Sequence, residues 1–118
     1  MKRGDVYWAD LAPRSGSEQK GRRPVVIVSH DGFNLLPTWN SMIIVPISTS
    51  SAQAKRGKTG VLLPAGEGGL TKESVALCHQ VSTLDRSKLL HKMGELSEES
   101  LRKLKEGLLV ALGLSEPV

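Results

Sequence analysis

The sequence predicts a mainly β fold with some α structure, a small and strongly bent sheet or partly closed barrel carrying a C-terminal helix. Three observations support this class. Five short apolar segments separated by turn residues occupy the first two thirds of the chain. One amphipathic segment with helical spacing occupies the last third. The length of 118 residues suits one core, so residues 1–118 are expected to form a single domain.

The first strand is expected at residues 5–10, after the turn signal of Gly4. We expect Val6, Trp8 and Leu11 near one face of this strand and Tyr7 on the other. Residues 12–23 are polar and contain two glycines, which is typical of a long loop.

The second strand begins at Pro24, and its continuous β-branched run at residues 25–28 indicates burial on both faces. Residues 31–41 predict a loop or a short irregular helix. A third strand is expected at residues 42–47, ending or lying at a sheet edge at Pro46, because proline has no backbone donor.

Two further strands are expected at residues 59–63 and 74–81, separated by a glycine-rich turn. Residues 86–90 form at most a short helix. The terminal helix follows Ser97, a residue type suited to capping the helix, and ends near Gly113. Its apolar residues recur at helical spacing: Leu101, Leu104, Leu108, Ala111 and Leu112.

The composition indicates a folded, cytoplasmic protein. Apolar residues make up 39% and charged residues 24% of the chain, far from a disordered composition. No apolar run approaches the roughly 20 residues of a membrane span, so no membrane partner is expected. Acidic Asp5 stands where a secretion signal would need apolar residues. The single cysteine, Cys78, cannot form an intramolecular disulfide, in agreement with a reducing compartment.

The formal net charge of +4 is concentrated in two loops. Residues 13–23 and 48–60 together carry a net charge of +6, and the rest of the chain offsets part of it. A polyanion is therefore the expected partner of these loops.

Several familiar motifs fail. The segment Gly57-Lys58-Thr59 resembles the end of a phosphate-binding loop, but Ala52 replaces the required glycine and a strand follows where a helix is needed. Adjacent Cys78 and His79 would point to opposite faces of a strand, which excludes a dyad between them. The three histidines lack metal-ligand spacing, so neither a metal nor another cofactor is expected.

The most informative segment is residues 16–28, GSEQKGRRPVVIV, which places Arg23 at the mouth of a buried strand. Together with RGDVYWADL at residues 3–11, VPISTS at 45–50 and ESVAL at 73–77, it resembles the MazF/PemK family of toxin endoribonucleases. The resemblance continues through Gln80 and the segment at residues 83–89, so it spans nearly the whole chain in order.

The resemblance implies an SH3-like barrel with a C-terminal helix, a homodimer, and cleavage of single-stranded messenger RNA at a short sequence without a metal. The family's reaction is attack by the ribose 2′-hydroxyl, which gives 2′,3′-cyclic phosphate and 5′-hydroxyl ends. It also implies an antitoxin whose acidic, disordered tail crosses the same groove. The key arginine corresponds to Arg23, and the family's hydroxyl residue corresponds to Ser48 or its neighbour Thr49. RNA contacts correspond to Ser17, Glu18 and Gln80.

The chemistry agrees with this assignment, because a guanidinium suits the geometry and charge of a phosphorane. With a pKa above roughly 12, arginine is a poor base, so Arg23 is expected to stabilise charge. Glu18 is a candidate general base, although it could equally pair with Arg22 or Lys20. Two alternatives stay open: a non-catalytic RNA-binding module, and a gyrase-inhibiting toxin of the same fold, whose C-terminal Trp-Gly-Ile is not found here.

Overall fold

The computed structural model describes residues 1–16, 18–49 and 57–114. Its elements, in chain order, are β1 (Asp5–Asp10), β2 (Arg22–Ile27), α1 (Asp31–Asn34), β3 (Ser41–Ser48), β4 (Gly60–Leu63), β5 (Ser74–Leu77), β6 (Ser82–Asp85), β7 (Leu89–Glu95) and α2 (Glu98–Ala111). Short 3₁₀ turns lie at Glu67–Gly69, Cys78–Gln80 and Arg86–Lys88. The predicted class, a mainly β chain with a C-terminal helix, is confirmed.

The strands form one antiparallel sheet in the order β4-β5-β3-β2-β1-β7, and β6 also pairs with β3. Strand β3 is the centre of this arrangement because its first half pairs with β6, its middle with β2 and its end with β5. In the described part of the chain the path ends at β4 and β7. The sheet is bent and barrel-like because β3 exchanges β6 for β5 along its length, but it is not closed, because β4 and β7 do not pair among the described residues.

The sheet buries one apolar cluster on each face. One contains Val6, Val26 and Val45 and receives Leu104 from α2. The other contains Val25 and is joined by Tyr7 and Leu11, together with Ala9, Ile27 and Ile44. Residues Val25, Val26 and Ile27 of β2 are thus buried on both faces, as predicted, although the strand begins at Arg22 rather than at Pro24 and ends at Ile27. The prediction that Leu11 shares a face with Val6 is wrong, because strict alternation carries every odd-numbered residue of this segment to the opposite face.

Strand β3 does not end at Pro46 but continues to Ser48. The neighbouring strand on the far side of β3 changes at this point: β6 pairs as far as Ile44, and β5 begins to pair at Ile47. Pro46 falls in this gap, where the missing N–H removes no ladder bond. The expected end or edge at Pro46 is therefore wrong.

Two predicted boundaries also change. The strand expected to extend to residue 81 ends at Leu77, and Cys78–Gln80 forms a 3₁₀ turn. The segment expected to be at most a short helix becomes one turn, Arg86–Lys88, followed by β7. Strands β6 and β7 were not predicted.

Helix α2 begins and ends as its sequence predicts. The Ser97 hydroxyl accepts a hydrogen bond from the Ser100 backbone N–H at 3.2 Å, and Gly113 adopts a φ of +70° after the last turn. Its buried residues, Ser100, Leu104 and Gly107, face the sheet. Neither helix in the described ranges is long and apolar enough to cross a bilayer.

Candidate active site

Arg22 and Arg23 open strand β2, at the end of the long β1–β2 loop. Their backbones pair with Asp10 and Ala9 of β1. Pro24 follows directly and restricts Arg23 to extended backbone angles. The position of Arg23 is therefore fixed on the strand side, as the sequence predicted.

The Arg23 side chain is half-buried, and its Nε donates to the carbonyl oxygen of Lys20 at 2.9 Å. Among the described residues, this is the single hydrogen bond of that side chain. The bond orients the guanidinium through Nε and leaves both terminal nitrogens able to bind an anion. A forked donor of this kind matches two oxygens of one phosphate.

The two candidate hydroxyl residues end strand β3 and differ in exposure. Ser48 is 3% exposed and pairs with Val75 of β5, whereas Thr49 is exposed. The last β2–β3 pair is Val25 with Pro46, and continuing this register brings Arg23 level with Ser48. Alternation then assigns Ser48 to the face of Arg23. Thr49 instead lines the same cleft as Arg23.

That cleft has a volume of about 290 Å³. Its cationic and polar wall includes Arg22, Arg23, Thr49 and Lys72. Its apolar wall is formed by Trp8, Pro24, Ile47, Leu70 and Met93. Among the described residues, three cations and no carboxylate line this cleft, which suits it to a phosphate beside an apolar or aromatic group.

The remaining predicted contacts lie on the β1–β2 loop and the turn that faces it. Gln80 Oε1 accepts a hydrogen bond from the Gln19 backbone N–H at 2.7 Å, which ties the loop to the Cys78–Gln80 turn. The Gln19 side-chain oxygen is buried and has no donor among the described residues. Such an unpaired acceptor costs about 1–3 kcal/mol. Ser17 lies outside the described residues.

Glu18 pairs with a different cation from those expected. Its carboxylate lies 3.6 Å from Nη1 of Arg14, rather than pairing with Arg22 or Lys20. The Glu18 side chain is 54% exposed, so this contact adds little stability. The pair nevertheless removes Arg14 from the free positive charge of the loop. In the second basic loop, Lys58 is exposed, and Lys55 and Arg56 fall outside the described residues.

Cys78, the candidate nucleophile, and His30, one of the three histidines, are used structurally. Cys78 is fully buried, and burial raises the pKa of its thiol to about 11, so it is protonated at neutral pH. His30 caps α1, its Nδ1 accepting from the Gly32 N–H at 2.8 Å. In the described ranges, no group of three or more His, Cys, Asp or Glu side chains is placed to hold a metal ion.

Sequence reasoning missed three members of the cleft. The sequence assigns Trp8 only to a face of the first strand and Arg22 only to the charge of the loop, and it does not single out Lys72. Trp8 and Arg22 share their face of the sheet by alternation, which a register prediction would have shown. Lys72 is brought in from the segment before β5, and the sequence carries no signal for that approach.

Comparison with known proteins agrees with this geometry. Residues 2–112 match the model of a family described as the PemK-like, MazF-like toxin of type II toxin-antitoxin systems. Endoribonuclease EndoA of Bacillus subtilis (strain 168) is 39% identical over 115 residues, covering 97% of this chain and 96% of the relative.

Solved structures share the fold, and two of them illustrate it. MazF from Deinococcus radiodurans is 27% identical, with a TM-score of 0.79 over 96% of each chain. A mycobacterial endoribonuclease, solved in complex with its cognate antitoxin, is 26% identical, with a TM-score of 0.79 over 99% of each chain. Because the family model matches nearly the whole sequence, this chain belongs to the PemK-like, MazF-like toxins of type II toxin–antitoxin systems.

Proposed function

We propose that this toxin is a metal-independent, ribosome-independent endoribonuclease that cuts single-stranded messenger RNA at a short sequence. Family membership supports the endoribonuclease class. The observation that carries the finer proposal is the fixed Arg23 guanidinium beside a hydroxyl-bearing strand end, in a cleft with three cations. Because the proposed substrate is messenger RNA, we propose that the toxin acts in the cytoplasm.

The reaction forms one bond and breaks another at phosphorus. The ribose 2′-oxygen attacks the adjacent phosphorus, and the P–O5′ bond breaks. One product ends in a 2′,3′-cyclic phosphate and the other in a 5′-hydroxyl, so the 2′ proton is lost and the 5′-oxygen gains one. In this proposal Arg23 stabilises the extra negative charge of the phosphorane and protonates the leaving oxygen.

A hydroxyl at position 48 or 49 donates to a nonbridging phosphate oxygen. The β2–β3 register supports Ser48, and exposure at the cleft supports Thr49. The variants Ser48→Ala and Thr49→Ala separate the two. The variant that lacks the active hydroxyl should lose about 10²–10³-fold in cleavage rate, as other enzymes do when one such donor is removed.

Ser17, Glu18 and Gln80 supply polar contacts to the RNA, and Glu18 is the candidate general base. The Gln19–Gln80 bond supports this grouping, because it holds the Glu18 segment against the turn that carries Gln80.

A cognate antitoxin is the second partner. An acidic, partly apolar tail suits the same cleft, because the rim is cationic and the opposite wall is apolar. High salt should weaken this complex, whereas salt-insensitive binding would mean that apolar contacts dominate.

We also propose a homodimer. It is supported by large apolar side chains exposed together around α1, where Phe33 is 47%, Leu35 58% and Trp39 41% exposed. The Phe33 and Trp39 rings lie 5.0 Å apart, so these side chains form a patch. Sedimentation equilibrium tests the assembly, and a monomer across micromolar concentrations would contradict it.

Cleavage of a mixed-sequence RNA in EDTA tests the proposed activity. Discrete fragments are expected, and Arg23→Ala should abolish them while retaining the circular dichroism spectrum of the parent. Arg102→Ala is the matched control, since Arg102 is an exposed helical arginine that pairs with Glu106. Undiminished cleavage by Arg23→Ala would remove its catalytic role. Salt-sensitive binding without any cleavage would favour the non-catalytic RNA-binding module instead.

A further inference from the structure

A second cavity lies between the β1–β2 loop and strand β6, and of the residues given a catalytic role only Glu18 lines it. Its volume is about 470 Å³, within the usual range for small-ligand sites. The polar groups on its walls come from Arg14 and Glu18 on one side and from Ser82, Asp85 and Lys88 on the other. Leu84 is among its apolar lining residues.

Arg14 is held rigidly in the wall of this cavity. Its side chain is only 11% exposed. Nε donates to the carbonyl oxygen of Leu11 at 3.1 Å, and Nη1 donates to Ser82 Oγ at 3.0 Å. The second terminal nitrogen, Nη2, makes no hydrogen bond within the described residues. The guanidinium is therefore held in place while the N–H groups of Nη2 can still donate hydrogen bonds to a ligand, as in an arginine that recognises a bound group.

The charges distinguish this cavity from the catalytic cleft. Arg14 and Lys88 are offset by Glu18 and Asp85, so the cavity is close to neutral. The described lining of the cleft, in contrast, has three cations and no acid. Lys88 Nζ already binds the carbonyl oxygen of Ala12, and Asp85 already accepts from the Ser87 N–H at 2.9 Å. A phosphate would favour the cationic cleft over this neutral site. A neutral group that both donates and accepts fits the cavity better.

A nucleobase has that chemistry. In single-stranded RNA, sequence is read by hydrogen bonds to base edges and by stacking on flat side chains, including guanidinium planes. Arg14 offers free donors and a plane, the Ser82 hydroxyl proton is available because its oxygen accepts from Arg14, and the Glu18 carboxylate accepts. The site thus holds both kinds of hydrogen-bonding partner.

The cavity is also joined to the predicted RNA contacts. Two long-range bonds fasten the β1–β2 loop to one short segment: Gln19 N–H to Gln80 Oε1, and Arg14 Nη1 to Ser82 Oγ. Gln80 and Ser82 are two residues apart, and Glu18 lines the cavity itself. A chain that contacts Glu18 and Gln80 therefore passes the cavity mouth.

We propose that this cavity binds one nucleobase of the RNA substrate and that Arg14 and Ser82 read its edge, setting the base preference at one position of the recognition sequence. The inference rests on the proposed endoribonuclease function. It assigns RNA recognition to Arg14 and Ser82, which have no role in the proposed reaction. The neutral cavity then binds a nucleobase, and the cationic cleft binds the phosphates.

Brief digestion of an RNA with randomised positions, followed by end-mapping, tests the assignment. Arg14→Met and Ser82→Ala are compared with the parent and with Arg102→Met, the exposed helical control. Both test variants should lose roughly tenfold or more of the preference at one fixed position from the cut, with the other positions unchanged. Identical preferences at every position, or an equal slowing on all sequences, would overturn the base-reading role. RNA left uncut by the parent would instead overturn the proposed function.

A binding measurement keeps the test decisive if Arg14→Met fails to fold. Ser82→Ala removes only one oxygen from the cavity wall and is then tested alone. Oligonucleotides with a 2′-deoxy residue at the cut site and each of the four bases at the responding position are titrated against the parent and Ser82→Ala. The parent should discriminate among the bases, and the variant should lose that discrimination. An equal change in affinity for all four bases would contradict the proposal.

Discussion

Gly107 occupies the interior of α2, where alanine is normally the better residue. Replacing glycine by alanine in a helix interior gains about 1 kcal/mol. At Gly107, however, an added Cβ would lie 2.8 Å from Cys78 Sγ, 2.9 Å from Val61 Cγ2 and 3.3 Å from the carbonyl oxygen of Lys58. Two of these neighbours are short, buried side chains and the third is a backbone atom, so none of them can move away from the added Cβ without a cost in free energy. Overpacking of this kind costs about 1–3 kcal/mol.

The net expectation for Gly107→Ala is a loss of unfolding free energy of about 0–2 kcal/mol. Urea unfolding followed by circular dichroism measures it. In a Cys78→Ala background the nearest contact is removed, so the same substitution should become about 1 kcal/mol less costly. A gain of the full 1 kcal/mol in the parent would refute tight packing of α2 against the Cys78–Gln80 turn. No coupling with Cys78→Ala would show that Sγ is not the limiting contact.

Three further outcomes follow from local contacts. Because folding raises the Cys78 pKa from 9.0 to about 11, the native state holds the thiol proton more tightly. The contribution of this thiol to the free energy of unfolding is fully present below pH 9 and falls by up to about 1.4 kcal/mol per pH unit between pH 9 and 11. Unfolding measured as a function of pH should show this slope in the parent, and the slope should be absent in Cys78→Ala. Ser97→Ala should lower the free energy of unfolding in urea by about 1 kcal/mol, whereas Ser97→Asp should keep the parent value, because aspartate can also cap the helix. Equal stability of the two variants would exclude capping by Ser97. Arg86→Met should lose about 1–3 kcal/mol, because the guanidinium binds three carbonyl oxygens of the α1–β3 segment; an unchanged Tm would contradict this.

The fold was predictable wherever burial and alternation agree. Strand β2 has a β-branched run because both of its faces are buried, and α2 has a cap, an apolar stripe and a terminating Gly113. Strand β7 was missed because its pairing with β1 shifts register twice, between Val6 and Tyr7 and between Trp8 and Ala9. Each irregularity breaks the period of two that identifies a strand.

The candidate site was predictable where local sequence fixes it. Arg23 stands out because Pro24 and a buried strand follow directly. The bond from Arg14 to Ser82 joins residues 68 positions apart, and no local pattern encodes it. The cleft likewise depends on Lys72 and Met93 approaching β2 from distant segments. Such contacts arise from the bend of the sheet, which sequence periodicity does not specify.

An RNA substrate with a single 2′-deoxy substitution tests the central claim most directly. The reaction proposed at Arg23 requires the 2′-hydroxyl beside the scissile phosphate. Once end-mapping has located the cut, removing that one oxygen should abolish cleavage there, while a 2′-deoxy residue one position away should leave it intact. Continued cleavage at the substituted position, with a 3′-hydroxyl or 3′-phosphate end, would contradict the account.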